Sequence, residues 1–348
     1  GEDLLLYGTG TAGQGAVYSD GSPNNQTRRS SSSGVIALAG DTAIGVGISG
    51  NELLMGPIGG TGNLTKIGAG TLTMENGGNT FSGSLEIAEG WVKARSNKAR
   101  NDLVIAAGAG LSQTGTLALN QGASNSTALD GTLNVNGRGA GDLNELSVNI
   151  GSLTGGASGL ITSTSTAADQ TVNINSDTAD SSYAGAIDGR IVLVKNGAGT
   201  TLALNGACTH TEGTFVHAGR LGGTGNVGGD VTVSAGAGIA PGTSVGTLTT
   251  GPQTWHGGAV LDVDVTHTNG PAGTGWDLLV VNGTVTLDGS VSSGSPVQVN
   301  LSAPVIGFNA RQGAAWLIVD AASIAGGFSA DKFTVDASGF EANNPLEG

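Results

Sequence analysis

Cysteine, aromatic residues and charge are all scarce in this chain, and long apolar runs are missing. With a single cysteine, Cys208, no internal disulfide can form; its apolar setting predicts a small packed side chain, with pairing between chains as the other use of a lone thiol. No stretch of about 18 apolar residues occurs, so a membrane-spanning helix is not expected. The ten-residue amphipathic strands and aromatic girdles of a membrane barrel are lacking too, which would place any anchoring barrel outside this sequence. Starting at Gly1 without Met or a leader, the chain reads as a processed or trimmed product. Only 4% of residues are aromatic and 11% charged, against 64 glycines, a composition that fits a helical or α/β enzyme poorly. Basic residues are the rarer sign. The net charge of −14 and pI near 4.4 exclude nucleic acid and anionic membrane surfaces as natural partners. Arg28-Arg29 and the run Lys93, Arg95, Lys98, Arg100 read as solvated turn or edge decoration, which also discourages stray strand pairing.

Short alternating apolar runs are what the chain does have: Leu133-Asn-Val135, Val172-Asn-Ile174, Ile191-Val-Leu-Val194 and Val231-Thr-Val233. Such alternation predicts strands rather than glycine-rich coil. Strands this short need a tight corner every few residues, and Gly and Asn make corners cheaply. One stretch then recurs. LTKIGAGTLTM at Leu64–Met74, followed by Asn79-Thr-Phe-Ser-Gly83 and Ile87-Ala-Glu-Gly-Trp91, returns as Leu193-Val-Lys-Asn-Gly-Ala-Gly199, Leu202-Ala-Leu204, Cys208-Thr-His-Thr-Glu212 and Val216-His-Ala-Gly-Arg220. A self-similar unit of about 30 residues is the signature of a solenoid, in which each coil buries a face against its neighbour.

These residues resemble the passenger-associated β-strand repeat of bacterial autotransporter proteins. Gly222–Val233 (GGTGNVGGDVTV) and Ile239–Leu248 (IAPGTSVGTL) resemble the segment that ends such passengers. The second copy departs at Cys208, where the first has Asn79, and at His210, where the first has Phe81. The resemblance implies a right-handed parallel β-helix and a secreted or cell-surface life. The fold class expected is therefore all-β, a solenoid over 1–250 with clear repeats at 61–94 and 189–220. From Trp255 onward the strands lengthen, at Ala259–Val265, Leu278–Val281, Val297–Leu301 and Trp316–Val319, and three of the four Trp and four of the six Phe fall beyond residue 250. Residues 251–348 are read as a strand-rich, sandwich-like cap over an open end.

Motifs that could carry chemistry are weak. Gly242-Thr-Ser244-Val-Gly246 fits the nucleophile elbow G-x-S-x-G, which works only at a strand-to-helix turn; here Pro241 precedes and a threonine-rich strand follows. Gly8–Gly13 and Gly223–Gly228 fit G-x-G-x-x-G, but so glycine-rich a chain supplies roughly two such matches by chance. His210, His217, His256 and His267 show no H-x-x-x-H spacing, and strand period two would set His210 and His217 on opposite faces unless a corner intervenes. Asp177 with Asp180, and Asp262 with Asp264, are the candidate acid pairs. Alternation with Leu261, Val263 and Val265 puts the latter on a solvent face.

No catalytic, cofactor-binding or metal-binding residue is predicted. The function expected is a non-catalytic stalk or adhesin, with matrix or host glycans and proteins as partners and Asn24, Asn25, Arg28 and Arg29 in the polar Ser19–Gly34 stretch as the contact loop. One alternative is an extracellular filament or layer subunit joined to other copies by strand pairing through Leu4, Leu5 and Leu6. A polysaccharide-active β-helix enzyme is the other.

Overall fold

A computed structural model describes residues 4–20, 27–30, 36–74, 79–94, 103–105, 110–113, 117–118, 126–129, 132–135, 146–163, 169–302, 304–306, 308–309 and 311–344. They divide into two compact units, residues 1–179 with 185–191, and residues 180–184 with 192–348. Both are built of short strands paired in parallel with strands about one coil away, the geometry of a β-solenoid.

In the first unit one ladder runs from Leu4–Gly8 through Ile36–Val46, Leu64–Ile67, Leu85–Ile87, Leu103–Ile105 and Ser126–Leu129 to Ser152–Gly155. A second begins Thr27–Ser30, Glu52–Met55, Thr71–Met74, Trp91–Ala94 and Gly110–Gln113. Register puts like on like. Leu53, Leu72, Val92 and Leu111 form one column, and each is buried. Burying each such aliphatic side chain contributes about 1.5–3 kcal/mol, and none could be buried without the coil beside it.

The second unit repeats the scheme. Leu202, Leu221, Ile239, Leu261 and Val299 stack in register, as do Val216, Val233, Trp255 and Leu287; all are buried. A third, narrower face joins Ala207–Cys208, Asn226–Val227 and Thr247–Thr250.

The long strands of the tail have a definite origin. Leu278–Leu287 pairs with Thr247–Thr250 through its first half and with Gln253–Trp255 through its second. Two faces that are separated by a corner at Gly251-Pro252 in one coil thus merge into one strand in the next. Gly283, at φ +150°, passes over the Pro252 ring, which a Cβ would meet at 2.8 Å. Val297–Ser302, Phe333–Asp336 and Val319–Ala325 extend the ladders, again in parallel. The expected strand at Trp316–Val319 starts three residues later, at Val319. Upstream of it the main chain is held by an indole instead, Trp276 Nε1 donating to Leu317 O at 2.9 Å.

Candidate functional site

Leu4, Leu5 and Leu6 lie on the strand Leu4–Gly8; Leu6 is buried, while Leu4 and Leu5 are 40% and 65% exposed. Asn24 and Asn25 fall outside the described residues. Arg28 and Arg29 stand on the strand Thr27–Ser30, so part of the expected contact loop is a rung. The G-x-S-x-G segment is the corner between the strands Gly238–Pro241 and Thr247–Thr250, with no helix after it. A corner does separate His210 from His217: His210 is fully buried and His217 exposed. His256 pairs with Asp288 at 2.6 Å, and His267 meets Thr266 at 3.1 Å. Among the described residues no three His, Cys, Asp or Glu converge as metal ligands.

The second unit carries a groove of about 460 Å³ on the outer side of one ladder. Its floor is low because Ala203, Gly222 and Ala240 are successive in register. Asp180, Asp262, Asp264 and Asp277 wall it, with the Gly242–Ser244 corner at one side. Alternation therefore placed Asp262 and Asp264 on the correct, outward face, and the groove is what that face forms.

Every one of these carboxylates ties rungs together. Asp180 Oδ1 accepts from Thr201 N at 2.7 Å. Asp262 is paired with Arg220 and accepts from Asn300 Nδ2 at 2.6 Å, and Asp264 accepts from Ser302 Oγ. Asp277, nearly inaccessible, takes Gly246 N at 2.7 Å and Asp264 N at 2.8 Å. Burial pushes the Asp277 pKa up to about 7, two main-chain N–H groups oppose the rise, and the Asp264 carboxylate adds to it. Sequence reading missed Asp277, since nothing around Trp276-Asp277-Leu278 distinguishes it from a loop acid.

A folded pKa above the unfolded one means that the native state binds more protons between about pH 4 and 7, so this contribution to stability is lost as pH rises through that window. Asn at 277 offers one acceptor where the fold uses two. Asp277→Asn is expected to destabilise the second unit by about 1–3 kcal/mol and to remove this slope; urea titrations at pH 5 and pH 8 would show both, and parallel slopes in the two proteins would refute the assignment.

The repeat corners bury lysine. Lys66 is fully buried, and its ammonium donates to Ile67 O at 3.0 Å, Gly68 O at 2.6 Å and Glu89 O at 3.1 Å. Three donors meet three carbonyls, which is why a lysine can stand there. Burial pushes its pKa down to about 8 against the pull of the Glu89 carboxylate, leaving it charged at neutral pH. Lys195, in the matching place, is 1% exposed and donates to Gly197 O and to Thr200 Oγ1. Lysine at this point of the repeat is a corner tie facing inward.

Parallel rungs, stacked columns and recurring lysine corners define a repeat-built β-solenoid. Residues 64–94 and 193–222, the two coils with those corners, match the passenger-associated-transport-repeat. The repeat points to an autotransporter passenger domain and is consistent with a surface β-helix protein. No curated protein matches the chain significantly.

Proposed function

We propose that this chain is a non-catalytic passenger of stalk or adhesin type, exposed or released at the cell surface, that binds matrix or host glycans and proteins. The observation that carries this reading is the use of the polar residues within the coils. Lys66 and Lys195 close corners, and all four groove carboxylates hold neighbouring rungs. A general acid and base need oxygens facing a substrate; here the oxygens of Asp277 already face main-chain N–H groups.

Attachment of the purified chain to a panel of glycans and matrix proteins tests the reading. The quadruple variant Asn24→Ala, Asn25→Ala, Arg28→Ala, Arg29→Ala is expected to lose attachment about tenfold or more, on the scale of two or more removed interface contacts, with melting unchanged. Full attachment by the variant removes the loop as the contact. Polysaccharide cleavage by the wild-type chain would overturn the non-catalytic reading.

The exposed side chains of Leu4 and Leu5 support a second reading, self-association through that strand. Light scattering on a chain lacking residues 1–7 decides it, since oligomers that survive the deletion count against it.

A further inference from the structure

Among the core positions at which the second repeat coil differs from the first, one exchanges an aromatic ring for a titratable one. Phe81 fills it in the first copy and His210 in the second, and both are fully buried. His210 Nε2 lies 2.8 Å from Thr214 Oγ1, itself buried. Its Nδ1 is enclosed and finds no hydrogen-bond partner among the described residues. A neutral imidazole can leave Nδ1 as a bare acceptor, but an imidazolium needs both nitrogens to donate.

Burial is the influence that acts on His210, and the charged groups nearest it among the described residues are engaged elsewhere. On the strand Ile191–Lys195, which reaches the turn of His210 through Leu193 N to Gly213 O at 3.0 Å, the cation is Lys195, engaged at its own corner. Glu212 in the same turn accepts from Thr211 Oγ1 at 2.8 Å on the surface. Asp230, in the next coil's turn, joins through its main chain to Thr214 N at 2.8 Å, and its side chain is exposed. Two residues before His210, Cys208 is also fully buried, with its sulfur in no disulfide.

We propose that His210 is a latch through which mild acid opens the coil of residues 193–222 and uncovers the thiol of Cys208. Burial alone holds the imidazole well below its ordinary value, at about 4. Between 4 and 6.5 the open coil binds the proton more tightly than the closed one, so closure is fully favoured above 6.5 and weakens as pH falls. The equilibrium for opening rises by up to about tenfold per pH unit in that window. Asp277 works in the other direction with acid, and it is common to all the proteins compared below.

Cys208 is the reporter. The intact chain is treated with dithiodipyridine between pH 7.5 and 4.5, and each rate is divided by that of the same chain in denaturant at the same pH. The corrected rate of the wild type is expected to rise at least about tenfold from pH 7 to pH 5. His210→Phe, which copies the first coil, and His210→Gln, which keeps a polar group without a proton to gain, are both expected to stay flat. His210→Gln decides the matter should the larger ring disturb packing. A flat wild-type profile overturns the proposal, and so does the same acceleration in His210→Gln.

Discussion

Lys66→Met should lower the stability of the first unit by about 3 kcal/mol, a drop of roughly 10 °C in melting temperature for a unit of this size. Three carbonyl oxygens surround Nζ. Methionine fills the channel of the lysine stem but donates nothing, and each buried acceptor deprived of its donor costs about 1–3 kcal/mol, offset in part because no charge is then desolvated. Glu89 O belongs to the following coil, so the loss is shared by two rungs. Lys93, by contrast, is exposed and lies 3.6 Å from Glu52; Lys93→Met is expected to change stability by no more than about 0.5 kcal/mol. Denaturant titration of both variants checks the pair, and equal effects would show that the Lys66 corner contributes nothing special.

Gly219→Ala should be at least as damaging to the second unit, by about 3 kcal/mol or more. Gly219 has φ +71°, a left-handed conformation that costs a residue with a Cβ about 1–2 kcal/mol. The new methyl would also be driven into Gly197 O and Thr200 O and would sit 2.7 Å from Lys195 Nζ. Gly90 holds the same place in the first repeat, at φ +63° and against Gly68 O and Gly70 O. Lysine and glycine are thus one device, the ammonium reaching its carbonyls because the next coil has no side chain there. Gly236→Ala is the control, since it has a similar φ of +78° but open space around the added methyl. Calorimetry should separate the two by the steric part alone, and a similar melting temperature for both would mean that the corner relaxes.

The coils were legible because alternation and corner residues repeat together. Val172-Asn-Ile174 and Val231-Thr-Val233 were legible as alternating strands, and their four apolar side chains are buried. Lys66 and Lys195 were harder, because lysine on a strand is ordinarily assigned to solvent; their recurrence in K-x-G-A-G was the available signal. The groove was half legible. Period two put Asp262 and Asp264 outside, but the low floor depends on Ala203, Gly222 and Ala240 meeting across rungs, and such register is set by corner lengths that no local pattern records. The merging of two faces in Leu278–Leu287 was visible only as a longer strand, since the partners of its two halves lie in different parts of the preceding coil.

Arg220 and Asp262 are 42 residues apart, whereas most side-chain ties in these units span 19 to 24 residues, as in Thr224 with Asn205 and Asn173 with Asn149. The Arg220 side chain crosses the rung Gly238–Pro241, where Gly238 leaves room for it, to reach the rung beyond. Ties between adjacent rungs survive when a whole coil is duplicated or lost, because the new neighbours present the same faces. A tie that skips a rung does not. Recombination among similar coils can therefore lengthen or shorten a repeat array at many points, but a coil gained or lost between Arg220 and Asp262 breaks their tie.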